Sequence, residues 1–442
     1  MLAILLLPCR ATITNQLCLG ARSHLDWTAD YRLYSHERVE PHALFSEVLA
    51  QTHQRLPEQS ALVVAIDDTL IRKTGARIHG VGWKRDPTGP KFQTNLVRGQ
   101  RYVQLSAAWP TTTAGHARML PVDFTHAPPA PKPPKNATPA RKSAFKEEQK
   151  QHCLNQVAID SIKRLRATLP ASRKLVIAGD GAYTNATIIK KLPEKTTYIG
   201  RIRRDAVLHH PPEGAPASTG RPRLYGRQAP TPEAMLKDEN TPWTTIRAYA
   251  AGRWHDFKVK ISATLLWRKT GARIPLRVLV IKALGYRLRK NSRLLYRQAA
   301  YLACTDPQMP IEEFLQDYLW RWGIEVNFRD EKTLIGVGEA QVRTAASNRT
   351  APASAVAAYS FLWLAALNAG ADSLEQLPCP KWRKPKKQEQ MSTEDLIRVL
   401  RCEQWAGQIE EQSLSHFVTP TPADATKQKP QTSLPHAIFS TA

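Results

Sequence analysis

The chain has 442 residues, 42% of them hydrophobic, which is enough for two or three domains and too apolar for a wholly disordered protein. It carries 63 Lys and Arg against 38 Asp and Glu, a net charge of +25 that is rare in soluble metabolic enzymes and favours an acidic partner such as nucleic acid. No apolar run approaches about 18 residues, so no membrane partner is expected, and six scattered cysteines without CxxC spacing indicate reduced thiols in the cytoplasm.

The first sixty residues are expected to form a helical N-terminal region, since residues 42–56 carry apolar positions at helical spacing. Residues 1–8, MLAILLLP, have the apolar stretch of a short signal peptide, but no basic residue precedes them. We interpret them as a helix remnant or the product of a displaced start codon, which would leave this region truncated.

Two strands are predicted next. Residues 61–66, ALVVAI, form a β-branched apolar run typical of a buried strand, which we expect to end at Asp67-Asp68-Thr69. Residues 102–109 predict another strand, and the Gly-rich residues 77–101 form a basic connection between the two.

A proline-rich loop separates these strands from a second group of elements. Residues 126–142 hold six prolines among Lys and Arg, which predicts a solvated loop without helix or ladder. A helix is expected over 145–169, a buried strand over 174–178 ending at Gly179-Asp180-Gly181, and a further strand over 197–202. Strand, helix and strand in this order imply a sheet with parallel members.

The strongest positive charge falls in a strand-rich block. Residues 206–245 predict extended loop and residues 247–297 predict strands, with 14 Lys and Arg and one acid, Asp256, in the latter. The aromatic residues of this block are expected to stack on bases while its charges neutralise phosphates, with a generic basic sheet face as the alternative. These aromatic residues are Tyr249, Trp254, Phe257, Trp267, Tyr286 and Tyr296. Just before the block, Arg201, Arg203 and Arg204 are expected to line the same groove.

The C-terminal third is predicted to be helical. Residues 310–335 predict one helix and residues 351–369 a long apolar one. Residues 373–442 are expected to be a linker and flexible tail around a single helix at 393–405.

Three carboxylates form a candidate metal site. Asp67 or its neighbour Asp68, and Asp180, are expected at the ends of two strands, where ligands gather in α/β sheets. Glu325 would come from the predicted helix 310–335. Three such carboxylates can hold two divalent ions about 4 Å apart, and hard oxygen ligands suit Mg²⁺ or Mn²⁺.

The helix that carries Glu325 also has a polar face. Tyr318, Arg321, Glu325 and Lys332 fall within an arc of roughly 60° at about 100° per residue. Arg321 and Lys332 are expected to hold phosphates beside the cut, and a solvated face with salt links is the alternative.

The spacing Tyr-x2-Arg-x3-Glu-x6-Lys resembles the YREK signature of bacterial insertion-sequence DDE transposases. The Asp67-Asp68-Thr69 tripeptide resembles the first D-x-T of that family, and residues 180–183, DGAY, resemble its second aspartate box. Residues 341–343, QVR, are also similar, so the resemblance spans about residues 60–370.

The resemblance implies an α/β, ribonuclease-H-like mixed sheet flanked by helices, with a β-rich insertion between the second aspartate and the glutamate. It implies Asp67, Asp180 and Glu325 as metal ligands, and the D-x-T register favours Asp67 over Asp68. Tyr318, Arg321 and Lys332 would handle phosphates and help to form a DNA hairpin. Further DNA-binding candidates are Arg329, Trp320 and Trp322; the two tryptophans are interpreted mainly as core anchors, with stacking on a displaced base as the alternative.

We therefore expect a transposase that cleaves and joins double-stranded DNA at transposon ends and in target DNA, acting as a homodimer or larger assembly in the bacterial nucleoid. The alternatives are a ribonuclease-H-like nuclease that cuts without joining, and an inactive DNA-binding remnant of a mobile element. The expected regions are 1–60 (helical), 61–205 and 301–372 (catalytic), 206–300 (insertion) and 373–442 (linker, helix and tail).

Overall fold

The computed structural model describes residues 1–20, 22, 25–86, 89, 92–213, 223–271, 274–286, 293–370 and 391–411. Within these residues, helices flank a large mixed β-sheet, and two further strands form a separate hairpin. Most of the linker and tail predicted for residues 373–442 lies outside the described residues. The strands are β1 (Leu62–Arg72), β2 (Gly82–Arg85), β3 (Leu96–Pro110), β4 (Ala117–His126), β5 (Leu175–Gly179), β6 (Thr196–Arg201), β7 (Leu208–His209), β8 (Thr244–Ala250), β9 (Arg253–Ile261), β10 (Leu265–Trp267), β11 (Pro275–Ile281), β12 (Leu284–Tyr286), β13 (Leu295–Arg297) and β14 (Ala300–Cys304).

The helices cover the sheet and build the N-terminal region. Four of them lie in the first sixty residues, as the apolar spacing there predicts. The helices are α1 (Leu2–Leu6), α2 (Ile13–Leu19), α3 (Thr28–Ser35), α4 (Pro41–Arg55), α5 (Pro139–Gln151), α6 (Leu154–Thr168), α7 (Ala186–Ile189), α8 (Pro232–Lys237), α9 (Ile311–Trp320), α10 (Gly323–Thr333), α11 (Ala345–Asn368) and α12 (Thr393–Glu411).

Strand β1 lies in the middle of the sheet. It runs parallel to β5, which runs parallel to β6, and antiparallel to β3 on its other side. Alternate residues of β1 enter two different cores, Val64 and Ile66 on one face and Val63 and Ala65 on the other. Burial on both faces explains why this segment is a continuous apolar run rather than an alternating one. The mixed α/β architecture agrees with the ribonuclease-H-like expectation.

The sheet extends beyond the two segments that are predicted to be catalytic and includes strands of the basic block. β14 pairs with β6, and β11, β10 and β7 follow in order, while β8 and β9 join through β11. The strands of the basic block are therefore hydrogen-bonded into the sheet that carries Asp67 and Asp180. Only β12 and β13, among the described strands, stand apart as a hairpin. The domain boundaries predicted at residues 206 and 300 stay predictions.

Several elements differ from the sequence expectation. β1 continues to Arg72 instead of ending at Asp67, because β3 pairs with it as far as Gly99. β4 was not predicted; it contains Pro121, which it accommodates beside an irregularity in its register with β3. The predicted loop 126–142 is shorter, since Pro139 starts α5 at a first-turn position where its missing N–H costs nothing. The helix predicted over 145–169 is two helices, α5 and α6.

The single helix predicted over residues 310–335 is also wrong. α9 ends at Trp320 and α10 begins at Gly323, and the N–H groups of Arg321 and Trp322 bond three residues back instead of four. A Cβ at residue 323 would lie 2.5 Å from Met119 Cγ, so only glycine allows α10 to approach β4 this closely.

The long apolar helix α11 packs inside the protein. Among the described helices it alone is long and apolar enough to cross a membrane, and 89% of its most apolar window is buried in the protein. Its apolar composition is explained by contacts with β4 and α4, so it is a core helix of this fold.

Candidate active site

Asp67 and Asp180 are brought together by strand register. The parallel pairing of β1 and β5 ends with Ile66 opposite Gly179, and the next residue on each strand is an aspartate. Neighbouring strands lie about 4.8 Å apart, so the two carboxylates are close neighbours. Burial and the charge of Asp180 raise the pKa of Asp67 to about 7, although Arg321 opposes the shift.

Asp180 is held by its own turn. Its Oδ1 accepts hydrogen bonds from the backbone N–H groups of Ala182, at 2.8 Å, and Tyr183, at 3.3 Å. Its carbonyl oxygen accepts a further bond from the Thr184 N–H. This Asx-type turn follows from an aspartate at a strand end with glycine after it, and it needs no partner from elsewhere in the chain.

Glu325 is held differently, through Arg321. The Arg321 guanidinium lies 3.1 Å from Asp67 Oδ2 and 3.8 Å from Glu325 Oε1. The Arg321 side chain is only 10% exposed, and its guanidinium lies 5.6 Å from the centre of the Tyr318 ring. Arg321 therefore neutralises two carboxylates that approach it from β1 and from the first turn of α10.

Asp68 has different partners. Because side chains alternate along a strand, Asp68 leaves β1 on the face opposite to Asp67. Its Oδ2 lies 3.1 Å from Arg101 Nε, and its Oδ1 accepts a 2.9 Å bond from the Tyr183 hydroxyl. Sequence reasoning did not identify Arg101 or Tyr183 as part of the site. The tyrosine was visible in the DGAY box, but its partner could not be inferred from the sequence.

A cleft of about 1200 Å³ opens over these carboxylates. Asp67, Asp180 and Glu325 all line it, together with Arg321. Its wall beyond β6 is basic, and the indole of Trp322 is 57% exposed at its edge. The basic residues of that wall are Arg201, Arg203, Arg204, Arg268 and Lys269.

The remaining predicted residues do not line this cleft. Trp320 points away and donates its indole N–H to the Gly115 carbonyl at 2.9 Å. Arg329 Nε donates to Asp330 Oδ1 at 2.9 Å. Lys332 lies on the Asp68 side, where burial lowers its pKa. Lys332 lies seven residues after Glu325 on α10, about 10 Å along the helix axis, and this distance places it beyond the cleft.

The aromatic residues of the basic block are less available than expected. Tyr249, Phe257 and Trp267 are buried, so the expectation that they stack on bases is wrong. Trp254 is 40% exposed but packs against Tyr249 and Arg247. The aromatic content of these strands therefore serves their packing.

The donor set fits a hard divalent cation, although the arrangement is not closed around one. Within the described residues, no three His, Cys, Asp or Glu side chains are grouped tightly enough to hold a metal ion. Two oxygen donors, Asp67 and Asp180, are adjacent, and the pKa of Asp67 is raised by its burial and by the charge of Asp180, so its ionised form lacks sufficient positive charge nearby. A divalent ion would relieve that deficit. Glu325 would complete the set if its carboxylate left Arg321.

Comparison with known proteins identifies the family of the chain. No relative among the curated proteins matches the chain. A family model described as DDE superfamily endonuclease matches residues 5–268, more than half of the chain. The matched part includes Asp67, Asp68 and Asp180 and ends before Glu325. The chain belongs to the DDE superfamily endonucleases, a nuclease family whose substrate is DNA.

Proposed function

We propose that the protein is an insertion-sequence transposase, which cleaves DNA at transposon ends and joins the freed ends to target DNA. The observation that carries this proposal is the meeting of Asp67, Asp180 and Glu325 in one cleft with a basic wall. A group of acidic side chains in a chain of net charge +25 is explained if the acidic groups bind metal cations and the basic residues around them bind DNA.

Asp67, Asp180 and Glu325 would hold the two Mg²⁺ or Mn²⁺ ions expected from the sequence. When bound, such a pair supplies an activated water on one side of the phosphodiester and stabilises the leaving oxygen on the other. In the proposed reaction, the freed 3′-hydroxyl then attacks a second phosphodiester, in the opposite strand or in the target, and its new bond to phosphorus replaces the bond to the 3′-oxygen of the attacked strand, which leaves.

We assign Asp67, and not Asp68, as the ligand. Asp67 lines the cleft beside Asp180, whereas Asp68 is engaged by Arg101 and Tyr183. Asp68 is a positioning residue in this proposal. It accepts a hydrogen bond from the Tyr183 hydroxyl, and the backbone N–H of the same tyrosine donates to Asp180. The pair thereby ties β1 to the turn of the second aspartate.

The cleft wall would bind the phosphates on either side of the cut. Arg201 ends β6, Arg203 and Arg204 follow it, and all three line the same cleft as the carboxylates. Arg321 would exchange its carboxylate partners for phosphate oxygens when DNA and metal arrive, since a guanidinium group can form two parallel hydrogen bonds with two oxygens of either a carboxylate or a phosphate. Tyr318, beneath Arg321, would support that side chain. Joining two ends calls for at least a homodimer.

A nuclease that cuts without joining is the second candidate, and the match to an endonuclease family favours it. The test uses end-labelled duplexes made from the DNA that borders the coding sequence, incubated with Mg²⁺ or Mn²⁺ and an unlabelled plasmid. A transposase links label covalently to the plasmid, whereas a simple nuclease yields only shortened label.

The same assay tests the residue roles. Asp67→Asn, Asp180→Asn and Glu325→Gln should each lower cleavage by about a thousandfold or more, because several kcal/mol of transition-state stabilisation is lost. DNA binding should remain. Asp160→Asn, on the far exposed side of α6, is the matched control and should cleave normally. Normal cleavage by any of the three variants would remove that residue from the proposed site.

A further inference from the structure

The outer edge of the sheet beside β3 carries exposed aromatic side chains. Among the described strands, β2 pairs with β3 alone and stands at the end of the strand order. Trp83 on β2 is 68% exposed, Phe92 in the connection to β3 is 98% exposed, and Leu96 at the start of β3 is 54% exposed. Large apolar groups gathered at a sheet edge indicate an interaction surface.

The charge around these side chains is strongly positive. Residues 72–101 contain eight Lys and Arg and one acid, Asp86, which pairs with Arg72 at 2.8 Å. Trp83 lies opposite Arg98 in the β2–β3 register, and Arg85 lies opposite Leu96, so aromatic, apolar and basic side chains share one face. Arg98 also donates to the Thr74 carbonyl, which brings the loop of the exposed Arg77 to the same place.

We call this group of residues the β2 edge surface, meaning Arg77, Trp83, Arg85, Phe92 and Leu96. It lies on the opposite side of β1 from the basic wall of the cleft, because the strand order runs β2, β3, β1, β5, β6. Gly82 and Arg72 both pair with Gly99, so Trp83 lies near the end of β1. Arg72 is five residues beyond Asp67, a distance of about 17 Å along a strand.

We propose that the β2 edge surface binds the DNA on one side of the cut, with Arg77 and Arg85 on backbone phosphates and Trp83 against a base. The inference rests on the proposed function. Exposed aromatic rings between cations are the combination that binds nucleic acid by stacking and charge together. Trp83 lies one residue beyond the level of Arg72 and two strand spacings of about 4.8 Å to the side, so it is about 22 Å from Asp67. At about 3.4 Å per base pair, this places the contact roughly six or seven base pairs from the cleaved phosphate.

The test measures binding of two duplexes by fluorescence anisotropy, using Asp180→Asn as the background so that no DNA is cut. One duplex extends ten base pairs on each side of the cut, and the other ends three base pairs from it on the side of the β2 edge surface. Trp83→Ala should weaken binding of the long duplex by between about fivefold and a hundredfold. It should leave binding of the short duplex unchanged.

A second variant and a control variant distinguish loss of this DNA contact from a general loss of positive charge or of folded structure. Arg85→Ala should lower the slope of log affinity against log salt by about one on the long duplex only. Trp27→Ala removes an indole that is 53% exposed at the N-cap of α3 and is not part of the β2 edge surface, and should bind both duplexes normally. Since Trp83 is largely exposed, its variant should keep the unfolding temperature of the parent.

The outcomes are distinguishable. Equal affinity of Trp83→Ala and its parent for the long duplex would refute the β2 edge contact while leaving the proposed function intact. An equal loss on both duplexes would also overturn it, because the contact would not lie at the predicted distance. If the parent protein bound neither duplex above a random-sequence competitor, the proposed function would fail.

Discussion

The two walls of the cleft hold their carboxylates in different ways. On the β5 side, Asp180 is bonded by backbone N–H groups two and three residues along the chain. On the α10 side, the contact that holds Glu325 within the described part of the chain is its ion pair with Arg321, whose nearer partner is Asp67, 254 residues away in the chain. A turn bonded to itself keeps its geometry whether or not a ligand is present. An ion pair between distant segments can exchange partners, so this wall is the one expected to rearrange when metal and DNA bind.

The largest effect on stability is expected when Arg321, the cation on the α10 side of the cleft, is removed. Arg321→Ala should lower the free energy of unfolding of the metal-free protein by about 3 kcal/mol, because a nearly buried carboxylate loses its partner. Mn²⁺ should recover part of that loss. Arg329→Ala is the matched control, since its pair with Asp330 is mostly exposed on the arginine side and is worth about 1 kcal/mol or less. Urea unfolding with and without Mn²⁺ measures both, and equal losses in the two variants would show that Arg321 is not the counterion of the site.

Metal binding should depend on pH through Asp67. Its pKa is about 7, so below that pH an incoming metal must displace a proton from the carboxylate. Mn²⁺ affinity should therefore rise by about tenfold per pH unit from pH 5 to pH 7 and level off above it. Titration followed by electron paramagnetic resonance measures this dependence. Asp67→Asn should remove it and Asp68→Asn should keep it, so the reverse result would move the ligand assignment to Asp68.

Substitutions near the turn that holds Asp180, on the β5 side of the cleft, should have smaller effects on metal binding. Tyr183→Phe removes only the hydroxyl that ties this turn to Asp68, leaving the backbone bonds to Asp180 in place. We expect Mn²⁺ affinity to fall by about tenfold, the lower end of the range for residues that orient a ligand indirectly. Tyr359→Phe also removes a buried hydroxyl bond, to Asn327, and should reduce stability without changing metal affinity. Unchanged affinity in Tyr183→Phe would mean that the turn holds Asp180 unaided.

The sequence predicted well those features that depend on neighbouring residues. The apolar β-branched runs of β1 and β5 are recognisable because buried parallel strands need side chains that pack on both faces. The turn at Asp180 follows from aspartate and glycine at a strand end. The pairing of both aspartates with a later glutamate was expected from their resemblance to a known pattern. β4 was missed because its packing between β3 and α11 depends on residues far away in the chain, and its own sequence is interrupted by Pro121.

The sequence by itself determined the acidic set, the charge and the strands that carry the aspartates, since these depend on composition and local periodicity. Only the tertiary structure decided which of two adjacent aspartates faces the cleft, because the alternation of β1 sends Asp67 to Arg321 and Asp68 to Arg101. It also decided that Lys332 lies away from Arg321 and Glu325. The physical reason is that seven residues of α10, about 10 Å along its axis, separate Lys332 from Glu325, and the packing of α10 on the sheet decides which groups lie at that distance.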